Sequence, residues 1–144
     1  MIRRLALVAV MAVAMTGVAH AQALDPIEIR QAGMGLQSST LSGVRAVVAA
    51  NGDVKTLEAS GKAIKRWGAL IPSLFPAGSD KGATKAAPAI WSDAAGFQKA
   101  AMTLSLAGEG LATAAKAGDA TAVAAAVKAV GEACGACHKD YRLK

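Results

Sequence analysis

The sequence is short of the residues on which most scaffolds depend. It has two cysteines, both among its last eleven residues, whereas a disulfide framework needs more of them, spread along the chain. Aromatic residues make up 3%, a poor supply for the aromatic and β-branched surfaces that suit sheets. The net charge is +6, but no basic cluster is interleaved with aromatics, so binding of nucleic acid is excluded as an expectation. Histidine occurs only twice, as His20 and His138. Strand-like alternation and low-complexity tails are also missing. What is present is apolar and small: 53% hydrophobic residues, rich in alanine, over 144 positions. That suits closely packed helices in one domain with a real core.

The N-terminus reads as a targeting segment. Met1-Ile2-Arg3-Arg4 is short and basic, Leu5 to Ala19 is a run of small and apolar residues, and Ala19-His20-Ala21 has the small-x-small form of a signal peptidase site. The expectation is a signal peptide over residues 1–21 and a mature domain over residues 22–144, exported to the periplasm. The run is shorter than the roughly 20 residues of a membrane span, so no stable membrane insertion is expected. Cleavage would leave 123 residues with a net charge of +4 and His138 as the sole histidine.

Four stretches carry apolar or small residues at steps of three and four. They are Ile27, Met34, Leu41, Val44 and Val48; then Val54, Leu57, Gly61, Ile64, Gly68 and Ile71; then Ile90, Ala94, Phe97, Ala101, Leu104, Gly108 and Leu111; then Val123, Val127, Val130, Cys134, Cys137 and Tyr141. Such near-3.5 repeats give each helix one seam, as in a left-handed bundle. Asp25-Pro26 starts the first helix, Asn51-Gly52-Asp53 ends it and caps the second, and Gly118-Asp119 turns tightly into the last. Pro72 to Pro88 is a long connection. The fold expected is all-α, an antiparallel up-down-up-down four-helix bundle.

Chemistry concentrates at Cys134-Gly135-Ala136-Cys137-His138. In this spacing two thiols reach two vinyl groups of one porphyrin as thioethers, and the histidine beneath the iron becomes an axial ligand. A thioredoxin-like dithiol would need a helix N-terminus after a strand, and here the pair sits late in a helix. Zinc needs about four ligands, where the mature chain offers two cysteines and one histidine. One covalent haem c is therefore expected, held by Cys134 and Cys137, with His138 as a metal ligand. No Ser/His/Asp set remains once His138 is assigned, and Gly33-Met34-Gly35 lacks the third glycine of a dinucleotide fingerprint. The reading is of an electron carrier, not an enzyme.

With this motif near the end of such a bundle, the chain resembles the cytochrome c′ family, the class II c-type cytochromes. The likeness also rests on Arg30-Gln31-Ala32-Gly33-Met34, Leu74-Phe75-Pro76-Ala77-Gly78-Ser79 and Pro88-Ala89-Ile90-Trp91, with Gly131 to Arg142 the most specific stretch. The resemblance implies a haem inside the bundle, with its propionate side toward the first helix and the long loop. It places Arg30 and Gln31 near the propionates or distal pocket, Thr84 and Lys85 at the same edge, and Arg142 on the proximal side, one turn after His138. It also implies redox partner proteins, which the modest positive charge would let be acidic, and a homodimer through the first two helices.

Met34 decides between two readings. In the resembled family, low-spin members of the c-556 type fill the iron face opposite the histidine with a first-helix methionine, and soft thioether sulfur suits electron transfer. High-spin members leave that face open behind an apolar side chain and bind small gases such as NO or CO. The main expectation is a single-electron carrier ligated by His138 and Met34; the alternative is five-coordinate iron that binds gas, with Met34 as packing. Gly33 and Gly35, each costing a helix about 1 kcal/mol relative to alanine, suggest close approach of the porphyrin to this backbone. Met102 is expected to pack on the third helix, and Trp67 and Trp91 to be core or haem-wall aromatics.

Overall fold

The computed structural model describes residues 25–144; the signal peptide expected over residues 1–21 lies outside the described residues. Four long helices carry the fold: α1 (Pro26–Ala49), α2 (Glu58–Leu70), α4 (Ala94–Ala117) and α5 (Ala120–Tyr141), with a single turn, α3 (Ala89–Ser92), before α4. Short 3-10 turns at Val54–Leu57 and Ile71–Leu74 extend α2 at both ends.

An aspartate starts each unit. Asp25 accepts from the Ile27 amide, Asp53 from Lys55, Asp93 from Gly96 and Asp119 from Ala122, each satisfying a donor that the first turn leaves orphaned. Gly118 ends α4 with a left-handed φ of 74°, a conformation that glycine adopts without steric cost.

The later three seams supply most of the core, whereas the first is fully buried only at Val44, with Ile27, Met34, Leu41 and Val48 half-buried. Val54, Leu57, Ile64 and Ile71 of the second stretch, and Phe97, Ala101, Leu104 and Leu111 of the third, lie in one cluster with Val123, Val127 and Val130. At Gly61, Gly68 and Gly108 an added Cβ would strike the backbone of the facing helix, so α2 and α4 approach more closely than larger side chains permit. On the other side, α1 stands off from α4 and α5, and that gap contains the site.

Three expectations need correction. The third stretch is not one helix: it breaks at Asp93 (φ −126°, ψ 57°), whose carboxylate caps α4 afresh. Met102 does not pack into the bundle but is 50% exposed, because it lies off the stripe formed by Ala101, Leu104 and Leu111. Gly33 is small for Trp67, not for a porphyrin, since a Cβ there would run into the Trp67 ring. Gly35, by contrast, has open space where its Cβ would be.

Candidate functional site

Between α1, the 75–90 connection, Phe97 and the end of α5 lies a cavity of about 820 Å³, within the range of about 300–1,000 Å³ usual for cofactor pockets. A second space of about 160 Å³ continues from it toward the core. Met34, Ser38, Cys137 and His138 border both, so the two form one slot. Its ends differ. Arg30, Gln31, Thr84, Lys85 and Arg142 stand around the wide mouth; Leu41, Ile64, Ile71, Leu104 and Val130 line the inner end, where Cys134 faces.

The order of these groups suits an amphiphilic disc. A haem has an apolar body, two vinyl groups at one end and two carboxylates at the other; the slot has an apolar interior with thiols within and cations at the rim. Cys134 and Cys137 are both free thiols, three residues apart and hence on one face of α5. Burial pushes both thiols above their ordinary pKa. Burial first, and the Arg142 guanidinium second, push the His138 imidazole below its own, which keeps a ring nitrogen unprotonated for a metal at neutral pH. Among the described residues no three His, Cys, Asp or Glu side chains cluster as metal ligands.

Arg30 is buried, 3% exposed, and is taken up by the connection. It donates to Ser79 Oγ (2.9 Å), Ser79 O (2.7 Å) and Thr84 Oγ1 (2.7 Å), and its guanidinium lies 4.6 Å from the Phe75 ring centroid. Gln31 Nε2 donates to Ala83 O. These two residues border the cavity, but the contacts they make fasten the loop. Arg142 also differs from expectation: α5 ends at Tyr141, and Arg142 is extended (φ −126°, ψ 129°). There it pairs antiparallel with Ala86, flanked by Ala87 N to Tyr141 O and Leu143 N to Lys85 O. This short clasp is what brings Thr84, Lys85 and Arg142 to one rim.

Phe75, Phe97 and Tyr141 line the cavity, and Trp91 stands behind Phe75. The four meet edge to face in series, Trp91–Phe75–Phe97–Tyr141, with centroids 6.2, 5.1 and 5.2 Å apart. Trp91 Nε1 donates to Phe75 O, so Trp91 pins the loop, while Trp67 packs on Gly33 of α1. In the sequence, Phe75 and Ser79 stand out only within the family-like stretch, without roles, and Asp93 is passed over; their partners Arg30, Phe97 and Tyr141 are remote in the chain.

Tyr141 is the only tyrosine, and its hydroxyl donates to Asp93 Oδ2 at 2.8 Å. That bond, made to a carboxylate, pushes the phenol up from 10 to about 12. A proton held more tightly in the folded state contributes stability fully below pH 10, and the contribution is lost as pH rises through about 12. In denaturation followed by circular dichroism at rising pH, Tyr141→Phe is expected to abolish this alkaline decline.

Residues 25–142 match the family described as Cytochrome C′. The chain belongs to the cytochrome c′ family. It is 36% identical over 123 residues to the cytochrome c′ of Rubrivivax gelatinosus, covering 83% of this chain and 95% of that one. It is also 38% identical over 92 residues to cytochrome c-556 of Agrobacterium tumefaciens strain B2A, covering 64% and 74%. Two solved structures of the Alcaligenes xylosoxidans cytochrome c′, a nitric oxide complex of a leucine-to-alanine mutant and a carbon monoxide-bound leucine-to-glycine variant, superimpose with a TM-score of 0.75 at 34% identity, covering 83% of this chain and 94–95% of theirs. A cytochrome c′ carries one covalent haem c, and the slot has the shape and donors for it.

Proposed function

We propose that this cytochrome c′ binds a small neutral gas, nitric oxide or carbon monoxide, beside Met34, on the side of its haem away from His138. Cys134 and Cys137 would hold the haem as thioethers, His138 would ligate its iron, and Arg142 and Lys85 of the rim would meet its carboxylates. Bound haem would supply a ferric/ferrous couple and an iron that takes diatomic ligands. The observation that carries the reading is the place of Met34, which borders both spaces of the slot as His138 does, next to the uncrowded Gly35. An unbranched thioether side chain can shift aside for a small ligand easily. The gas complexes of the Alcaligenes variants support the same reading.

The test is optical. Unmodified ferrous protein is expected to take up carbon monoxide rapidly, and Met34→Leu to leave the ferric spectrum unchanged. A far-red sulfur-to-iron band that Met34→Leu abolishes would instead establish His138/Met34 ligation and a single-electron carrier. The cytochrome c-556 relative favours that second reading, under which exposed Lys85 and Arg142 would meet an acidic redox partner. Either activity is non-enzymatic and belongs in the periplasm.

A homodimer through α1 and α2 fits the surface. Ile29 and Leu36, a heptad apart on α1, and Leu70 on α2 are 37%, 68% and 55% exposed. In light scattering, Leu36→Lys is expected to turn a dimer into a monomer; an unchanged mass would remove this face from the interface.

A further inference from the structure

One buried polar atom lacks a partner. Among the described residues, the amide oxygen of Gln37, Oε1, is the only side-chain oxygen or nitrogen on a buried or half-buried residue that is closed to solvent and makes no hydrogen bond. Native folds avoid such atoms, since each forfeits its bonds to water without replacement.

Its position gives the atom meaning. Gln37 lies three residues after Met34 and four before Leu41, on an α1 stripe whose other polar member, Arg30, is taken up by the loop. Its side chain borders the inner space of the slot. Apart from Ser38, the Trp67 indole and the Cys–His motif, the rest of that wall is aliphatic or alanine, with Ile64, Ile71, Leu104 and Val130 among it. A leucine or methionine at position 37 would continue the seam at no polar cost. A few placed polar groups on a mostly apolar wall are what give such a pocket its ligand specificity.

We infer that Gln37 is the polar recognition group of the Met34 face, hydrogen-bonding the small ligand admitted there. The inference rests on the gas-binding reading and adds what selects the gas. A half-turn about the terminal torsion exchanges Oε1 and Nε2. One side chain can therefore donate N–H to the outer atom of a bound diatomic, or accept from a water in its absence. Met34 beside it offers bulk and no donor. Preference for ligands whose outer atom accepts a hydrogen bond thus falls to Gln37.

The experiment uses full-length ferrous holoprotein with carbon monoxide, read by the infrared C–O stretch and by the rate of release. Gln37→Leu is expected to move the stretch to higher wavenumber and to speed release roughly two- to tenfold, the effect of one ordinary hydrogen bond. Ser39→Ala, at an exposed α1 position outside both walls of the slot, should change neither. Gln37→Met, unbranched and apolar, repeats the test should leucine disturb folding. If both Gln37 variants bind carbon monoxide with the native stretch and release rate, Gln37 does not touch the ligand, and the proposal is overturned while the gas-binding reading stands. If native ferrous protein takes up no carbon monoxide, the gas-binding reading fails and the role of Gln37 fails with it.

Discussion

In a Cys134→Ser/Cys137→Ser double variant, acid–acetone is expected to extract all the haem from a protein that keeps all of it in its native form. The two sulfurs lie on one face of α5, Cys134 toward the inner end and Cys137 between the two spaces. Neither is engaged in a disulfide. Once both are hydroxyls, retention depends on the apolar walls and on His138 alone. Acid protonates the imidazole and solvent loosens the walls, so the pigment has nothing left to hold it. Each single variant should keep one covalent link and its pigment, with a displaced reduced α band. Pigment that stays with the doubly substituted polypeptide would mean that the attachment lies elsewhere, and a colourless native protein would remove the haem reading altogether.

Replacing Arg30 has the largest expected effect on stability. Its guanidinium satisfies the Ser79 carbonyl and the Ser79 and Thr84 hydroxyls, and it covers the Phe75 ring. Methionine has similar length and no donors, so Arg30→Met leaves the buried Ser79 carbonyl unpaired and forfeits the cation–π contact. The sum is about 3 kcal/mol, which for a domain of this size lowers the melting temperature by roughly 10 °C. Arg30→Lys keeps the charge but presents a point where the loop needs a planar fork, and should fall between the two. Thermal denaturation of the holoprotein measures this. A melting temperature within about 2 °C of native for Arg30→Met would show that the loop is held by the Ala86–Arg142 clasp and Trp91 instead.

These two sets of residues differ in how plainly the chain announces them. The Cys–x–x–Cys–His spacing is local and needs no fold to be read. The aspartate caps and the seams are also local, because a helix repeats on a scale of a few residues; hence Asp25, Asp53 and Asp119 and the buried stripes are where the pattern puts them. The break at Asp93 is hidden, since Ile90 and Phe97 keep helical phase across it. The Arg30 clasp joins residues 49 and 54 positions apart, and the contact of Gly33 with Trp67 likewise depends on how two helices cross. An isolated glycine can signal that some neighbour is close but not which one. Gln37 carried a sign that could have been read earlier: with Arg30, one heptad before it, it is a polar residue on a largely apolar stripe.

The pairing of residues 85–87 with residues 141–143 has a consequence for the order of assembly. A chain that emerges from its N-terminus onward presents both cysteines before Leu143, whose amide must reach Lys85 to shut the rim. The edge of the slot at Lys85 is thus fastened by a residue that follows both thiols along the chain, and the segment that would capture the guest precedes the one that secures the rim.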